Sequence, residues 1–236
     1  MFANRLEAAK EIIRTAEKSG VNLKLIGGLA FYAICPSASQ GKYRREYKDI
    51  DLIGKSGDAG KVNDVMLSLG YVPREIFNRL NFNERLLYHN RNNDLRVDVF
   101  LGKFIMCHKF DFNGRIGKPG LTLPITDLVM TKLQVIAKTD KEYCDLMAAF
   151  EDYPVTEDDG GINGKYIAKI CASNWGIWRT FLQNLDWLAL SADGIKRERV
   201  ERLKAMIEAE PKSLAWKIRA KIGERKKWYE EPEVVI

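Results

Sequence analysis

The stretch KDIDLIG at residues 48–54 decides the fold of this 236-residue chain. Charged and apolar residues alternate along it, and this alternation predicts a half-buried β-strand. Side chains two residues apart project from the same face of a strand. Asp49 and Asp51 therefore project together. Ile50 and Leu52 point to the opposite face, towards a core.

A third carboxylate lies in a later strand pattern. The stretch LLYHNRNNDLRVDVFLG at 86–102 contains two alternating runs around residues 92–94, which predicts a β-hairpin. Asp98 stands between two valines in the second run. If the hairpin pairs beside strand 48–54, three carboxylates converge on one side of a sheet. Oxygen-only ligation suits Mg²⁺ or Mn²⁺, and such a cluster can hold two divalent ions.

A glycine pair precedes these acidic residues. The run NLKLI at 22–26 predicts a short strand that stops at Gly27 and Gly28, and LAFYAIC at 29–35 predicts a buried helix ended by Pro36. Backbone N–H groups where a strand turns into a helix can bind phosphate, and glycine lets the phosphate approach closely. Any one of these acidic residues is also expected on an ordinary solvated sheet face. The glycine pair, the Asp-x-Asp strand and the later strand Asp, in this order, favour a site that binds metal and phosphate.

The rest of the chain indicates an α+β protein. Apolar periodicity predicts helices at 3–18, 58–69, 125–137, 140–151, 163–172, 174–190, 194–209 and 212–230. The polar segment 37–47 predicts a basic surface loop, and 151–161 predicts a linker. A further short strand is expected near 104–110. We therefore expect a mixed sheet flanked by helices in a catalytic domain at 1–122, followed by an all-helical domain at 123–236.

Composition restricts the class of protein. No apolar run approaches the roughly 18 to 20 residues that span a bilayer, and the N-terminal stretch lacks the pattern of a signal peptide. The four cysteines form no C-x-x-C pair. These features predict a cytoplasmic protein with no membrane partner.

The formal charge is +6, and residues 1–124 carry 20 Lys+Arg against 13 Asp+Glu, a net of +7. That excess suits a polyanionic ligand, although an ordinary solvated surface is the alternative.

Three segments together resemble a known superfamily. L-I-G-G-L-A, then R-E-Y-K-D-I-D-L-I, then R-V-D-V-F resemble the DNA-polymerase-β-type nucleotidyltransferases. The stretch from Gly27 to Asp51 is also similar to the aminoglycoside and lincosamide nucleotidyltransferases, in which an Arg often precedes the Asp pair, as Arg45 does here. The helix at 123–146 resembles part of the AbiEii-type nucleotidyltransferase toxins, and Lys132 matches the lysine of that helix. The resemblance implies a nucleotidyltransferase-like fold.

The resemblance also implies an activity and a site. The reaction would transfer a nucleoside monophosphate from a nucleoside triphosphate to a hydroxyl acceptor, and pyrophosphate would leave. ATP is the expected nucleoside triphosphate. The acceptor would be a small molecule, a protein or a tRNA. The catalytic residues, which would also bind Mg²⁺ or Mn²⁺, are Asp49, Asp51 and Asp98. The nucleotide-binding residues are Gly27, Gly28, Arg45 and Lys132. The gap of 20 residues between Gly28 and Asp49 is longer than the corresponding gap in many members of the superfamily.

Other interpretations of the sequence stay open. The same fold can serve as a non-catalytic nucleotide-binding or antitoxin-like interaction module. A metal-dependent phosphohydrolase is disfavoured, because neither His89 nor His108 has an adjacent Asp. The C-terminal stretch 195–228 is rich in basic residues and suits either an RNA backbone or a solvated helical face. Trp175 and Trp178, at helical spacing, fit a core better than a base-stacking surface.

Overall fold

The structure is a computed structural model that describes residues 2–91 and 95–231. Its contacts divide the chain into two units. The first comprises Met1–Ile34, Arg45–Phe104 and Lys109–Pro124. The second comprises Cys35–Arg44, Ile105–His108 and Ile125–Ile236.

Two short segments depart from the simple boundary expected near residue 122. Cys35–Arg44 and Ile105–His108 belong to the second unit, although they lie within the first in sequence. Hydrogen bonds explain the first departure, since the amide and hydroxyl of Ser37 donate to Asp152 at 2.9 and 2.6 Å. The amide of His108 likewise donates to Gln134 at 2.8 Å. Such long-range pairings cannot be inferred from local periodicity.

Five strands form the sheet of the first unit, in the order β1-β2-β5-β4-β3. Their bounds are β1 Lys24–Ile26, β2 Ile50–Gly54, β3 Tyr71–Pro73, β4 Arg85–Asn90 and β5 Arg96–Leu101. Strands β2 and β5 are parallel, whereas the other neighbouring pairs are antiparallel. The sheet is therefore mixed. Two short strands follow, β6 at Lys103–Ile105 and β7 at Lys109–Asp111, in the region where a further strand was expected.

Helices account for most of the remaining structure. In chain order they are α1 Phe2–Lys18, α2 Gly27–Ile34, α3 Pro36–Ser39, α4 Ala59–Ser68, α5 Glu75–Leu80, α6 Ile125–Leu133, α7 Asp140–Asp152, α8 Gly164–Ser173, α9 Trp175–Ser191, α10 Gly194–Ala209 and α11 Leu214–Ile222. Together with the mixed sheet they confirm the predicted α+β class. In the described residues, no helix is long and apolar enough to cross a membrane.

Apolar side chains of the sheet and the helices form the core of the first unit. Leu52 on β2 and Val99 on β5 are fully buried and are partners in the parallel register. The predicted apolar face of α1 is buried at Ile12, and that of α4 is buried at Val62. One face of the central strands is thus apolar and covered, which leaves the carboxylates of β2 and β5 on the other face.

Several boundaries differ from those predicted. Strand β2 begins at Ile50, so Asp49 lies just before it and not within it. The segment 37–47 is not wholly loop, because Pro36 starts the short helix α3. Strand β3 and helix α5 occupy 71–80, where nothing was predicted. The hairpin of β4 and β5 is confirmed, but its turn at 92–94 lies outside the described residues.

The second unit is mainly helical but contains one small pair of strands. Strand β8 at Val155–Thr156 runs parallel to β9 at Ile162–Asn163, within and just after the segment expected to be a linker. The last predicted helix is shorter than expected, since α11 ends at Ile222. Gly223 ends it with a φ of +58° and a ψ of −140°, a backbone conformation that residues with a Cβ rarely adopt.

Removing a buried methyl-rich side chain from β2 tests this account of the core. Leu52→Ala should lower the free energy of unfolding by about 2–5 kcal/mol, because it leaves a cavity beside a fully buried neighbour. Leu67→Ala is the control, since Leu67 on α4 is 49% exposed. Its effect should stay within about 0.5 kcal/mol. Urea denaturation followed by circular dichroism measures both, and equal effects would contradict the assigned core.

Candidate functional site

The parallel pairing of β2 and β5 aligns two of the predicted acidic residues. Asp51 and Asp98 are direct partners in the register, so their side chains leave the sheet on one face. Asp49 precedes Asp51 by two residues and is exposed. Burial raises the pKa of the Asp98 carboxyl, and the negative charge of Asp49 raises it further. The charge of Asp49 therefore acts on Asp98.

Arg85 forms an ion pair with Asp98 that the sequence did not predict. Its Nε donates to both carboxylate oxygens at 3.0 and 3.1 Å, and its Nη2 donates to Oδ2 at 2.5 Å. The guanidinium lies over the ring of Phe100, 4.8 Å from the centroid. The positive charge of Arg85 opposes the effect of burial on the pKa of Asp98. One of the three carboxylates is therefore already neutralised by a cation from the protein itself.

The predicted three-carboxylate metal centre is not present as such. Among the residues that the structure describes, no group of three or more His, Cys, Asp or Glu side chains could hold a metal ion. The physical reason is visible at Asp98, whose two oxygens both accept hydrogen bonds from Arg85. Asp49 and Asp51 supply oxygen donors of the kind that Mg²⁺ or Mn²⁺ prefers. The donor set thus fits such an ion at these two residues and does not fit it at Asp98.

Gly27 brings the backbone of α2 against the carboxylate of Asp51. Its φ is +66°, a conformation that other residues rarely adopt. A Cβ added at Gly27 would lie 2.0 Å from Oδ2 of Asp51. Glycine is therefore required here both for the backbone conformation and for the space that the carboxylate occupies.

Gly28 stands in the same relation to Arg45. A Cβ at Gly28 would lie 2.1 Å from Nη2 of Arg45 and 2.9 Å from the ring of Tyr47. The guanidinium of Arg45 lies over the Tyr47 ring, 4.3 Å from the centroid, and donates to the carbonyl of Glu46 at 2.9 Å. Within the first unit, Gly27 thus lies against Asp51, and Gly28 lies against Arg45.

Lys132 lies in the second unit and takes part in an ion cluster there. Its Nζ is 3.0 Å from Oδ2 of Asp145 and 3.5 Å from Oε1 of Glu142. Asp145 is fully buried. Burial would raise the pKa of Glu142, but Lys132 and the hydroxyl of Thr139 bring it below its ordinary value. Lys132 therefore has a structural role, and its contact with a nucleotide stays a prediction.

Arg85 is the site residue that sequence reasoning missed. The pattern of RLLYHN places Arg85 and Leu87 on one face of β4, and Leu87 is the partner of Asp98. Arg85 is then a diagonal neighbour of Asp98, within reach of a long side chain. That relation depends on the register of the hairpin, and the register depends on a turn whose geometry the sequence leaves open.

Comparisons with known proteins add a similarity to a solved structure. No protein-family model matches the sequence, and no curated protein matches it. The chain is similar to a solved structure of the antibiotic-resistance factor ANT(2'')-Ia, with 15% sequence identity and a TM-score of 0.42. The similarity covers 95% of this chain and 97% of that chain. What this chain does is therefore inferred from its own residues.

The requirement for glycine at the start of α2 is directly testable. Gly27→Ala should destabilise the first unit by about 1–3 kcal/mol from backbone strain alone, and by more from the clash with Asp51. Gly60→Ala, on α4, is the matched control, because a Cβ there meets nothing within 4 Å. It should be neutral or stabilise by up to about 1 kcal/mol. Thermal unfolding measures both, and a harmless Gly27→Ala would refute the packing described.

The ion cluster of the second unit predicts a different stability effect. Lys132→Met leaves the buried carboxylate of Asp145 without its cation and should cost about 3–5 kcal/mol. Lys141→Met removes the same charge from the exposed face of α7 and should change stability by about 0.5 kcal/mol or less. Chemical denaturation at neutral pH compares the two variants. If they unfold alike, Lys132 does not stabilise the cluster.

Proposed function

We propose that this chain is a nucleotidyltransferase whose first unit binds a nucleoside triphosphate. The observation that carries the proposal is the placement of Gly27 and Gly28 directly against Asp51 and Arg45. The two glycines, which have no side chains, then lie beside a carboxylate and a guanidinium. Phosphate binding and nucleotidyl transfer need these three kinds of group together.

The start of α2 is suited to the phosphates. Its first turn contains no acidic residue of its own, and the carboxylate that lies against it is that of Asp51, the residue proposed to hold the metal ion. The missing side chains at Gly27 and Gly28 let Asp51 and Arg45 lie directly against the backbone of this turn, where a phosphate would meet both groups. Arg45, held on the Tyr47 ring, adds a planar donor that can bind phosphate through two hydrogen bonds. ATP is the nucleotide we expect.

The proposed cofactor is Mg²⁺, or Mn²⁺ in its place. Asp49 and Asp51 would hold the ion, whereas Asp98, the third residue predicted from the sequence, is paired with Arg85. When bound, such an ion offsets negative charge on the triphosphate. Asp51 projects from the sheet beside Gly27, and Asp49 lies two residues before it, so the ion would lie next to the proposed phosphate position.

The transfer itself requires an acceptor hydroxyl. Its oxygen forms a bond to the α-phosphorus, the bond to the bridging oxygen breaks, and pyrophosphate leaves. The hydroxyl proton passes to a carboxylate, and Asp98 is the residue to which we assign this role. The acceptor belongs to a small molecule, a protein or a tRNA. Lys132 is proposed as a further contact of the triphosphate.

The ion pair of Arg85 and Asp98 favours a second candidate function. A carboxylate whose two oxygens both accept from a guanidinium is a poor metal ligand. A chain that kept this pair closed would bind nucleotides without transferring them, as a nucleotide-binding or antitoxin-like interaction module. The two candidates share nucleotide binding and differ in the release of pyrophosphate.

Calorimetry with ATP, GTP, CTP and UTP, each with and without Mg²⁺, tests the shared part. The wild type should bind at least one nucleotide in a Mg²⁺-dependent manner. Asp49→Asn/Asp51→Asn should lose about 2 kcal/mol or more of binding free energy, because charge-assisted contacts to the ion disappear. The matched control is Asp58→Asn/Asp64→Asn, which removes two charges from the start and the exposed face of α4.

The outcomes separate the candidates. Label transfer from α-labelled ATP to a small-molecule, protein or tRNA fraction, abolished by Asp51→Asn, supports the transferase. Nucleotide binding with no transfer to any fraction supports the interaction module. If none of the four nucleotides binds, the proposal of a nucleotide site at Gly27 and Gly28 is wrong.

A further inference from the structure

Helix α11, at Leu214–Ile222, presents a row of large aliphatic side chains to solvent. Leu214, Ile218 and Ile222 are 75%, 56% and 42% exposed. They stand four residues apart, so they lie one above another on a single face of the helix. Single exposed apolar residues are common on protein surfaces, whereas a contiguous exposed patch marks an interaction site. The row on α11 is therefore a candidate docking surface.

The other face of α11 is fixed to the second unit. The ring of Trp216 packs edge to face on that of Trp178, with the ring centroids 5.0 Å apart. The guanidinium of Arg219 lies over the ring of Trp175, 4.6 Å from the centroid, and its Nη1 donates to the carbonyl of Gly223 at 2.6 Å. These contacts set the rotation of the helix about its own axis. The aliphatic row is therefore held pointing outward.

Positive charge borders this row on one side. Lys217 and Lys221 each precede an isoleucine of the row, and both are exposed. Within the residues that the structure describes, neither lysine takes part in an ion pair. Glu224 is the only acidic residue in the sequence from 212 to 229, and its carboxylate pairs with Arg179 at 2.6 Å. The face thus combines an apolar row with a border of net positive charge.

We propose that the outer face of α11, formed by Leu214, Lys217, Ile218, Lys221 and Ile222, docks an acidic amphipathic helix of a partner protein. Rows of side chains four residues apart pack into the grooves of a second helix. Carboxylates beside the apolar stripe of the partner would pair with the two lysines, as flanking charges do in coiled coils. This surface belongs to the second unit, and the inference does not depend on the proposed nucleotide site.

Charge and composition favour this partner over three others. A second copy of the same face would bring its lysines against Lys217 and Lys221, and like charges across an interface repel. A bilayer holds amphipathic helices by burying a large apolar area, and α11 offers three large aliphatic side chains over nine residues. Single-stranded nucleic acid binds through its phosphates and by stacking on aromatic rings, so it would leave the aliphatic row exposed. An acidic amphipathic helix covers the row and neutralises the lysines together.

A labelled synthetic peptide is the probe for this surface. It is an amphipathic helix with leucines along one face and glutamates on both sides of that face. A second peptide carries lysines in place of the glutamates. Fluorescence anisotropy measures the binding of each peptide to the full chain at low ionic strength. The wild type should bind the acidic peptide about tenfold more tightly than the basic one, and added salt should reduce this difference. Equal affinity for the two peptides would contradict the charge complementarity.

Charge reversal tests the two lysines. Lys217→Glu/Lys221→Glu should weaken binding of the acidic peptide about tenfold and strengthen that of the basic peptide, because the sign of the border is inverted. Lys165→Glu/Lys169→Glu is the matched control, since it reverses two exposed lysines at the same spacing on α8. The control should bind both peptides within about twofold of the wild type. A reversed preference cannot result from misfolding, because a misfolded chain would lose both peptides.

A polar side chain in the middle of the row tests its apolar part. Ile218→Asn should weaken binding of the acidic peptide about tenfold, because an aliphatic side chain no longer leaves water on binding. Leu190→Asn is the control, since Leu190 on α9 is 87% exposed and lies outside the row. It should bind the peptide within about twofold of the wild type. Urea denaturation followed by circular dichroism should show little change in stability for either variant, since both side chains are exposed.

Three further results would overturn the proposal if no peptide binds. Binding to vesicles of phosphatidylserine and phosphatidylcholine, lost in both Ile218→Asn and Lys217→Glu/Lys221→Glu, would assign the face to a membrane. Binding of single-stranded RNA that only the lysine variant loses would assign it to nucleic acid. Self-association in sedimentation velocity that Ile218→Asn removes would assign it to a second copy of the chain. Peptide binding that both variants weaken, with both controls unchanged, supports the helix partner.

Discussion

The parallel pairing of β2 with β5 is the constraint on which the site depends. It places Asp51 opposite Asp98 on one face and Leu52 opposite Val99 on the other. The buried apolar face fixes the register, because a slip of one residue would send the carboxylates into the core. The energy of burying Leu52 and Val99 thus holds the acidic side chains in place. Core and site are set by the same hydrogen-bonded strands.

The position of Gly27 and Gly28 also depends on this pairing. Strand β1 pairs with β2 so that Ile26 stands opposite Asp51, and α2 begins at the next residue. The carboxylate of Asp51 then fills the space that a side chain at Gly27 would need. The close approach of backbone and carboxylate is therefore a consequence of the sheet register. It explains why the two glycines and the acidic pair belong to one site although more than 20 residues separate Gly28 from Asp51.

The parts of the fold with a local pattern were predictable from the sequence. Alternation gave the strands at 48–54 and the hairpin, and the spacing of apolar residues gave α1 and α4. The convergence of Asp51 and Asp98 required only that the hairpin lie beside β2. The ion pair of Arg85 with Asp98 was not predictable, because it needs the register across the turn. The assignment of Cys35–Arg44 to the second unit also depends on distant partners, chiefly Asp152.

Two ion pairs in the chain each neutralise an aspartate that is largely or fully buried, but the pairs differ in their exposure to solvent. Lys132 holds Asp145, which has no exposed surface, so opening that pair would take the cation away from a carboxylate in the interior. Arg85 holds Asp98, but both partners of this pair keep some contact with solvent. Because of this difference in burial, the loss of Lys132 removes a cation from the interior, whereas the loss of Arg85 removes one from a site that solvent reaches. This difference in burial is the reason for the structural role that we assign to Lys132.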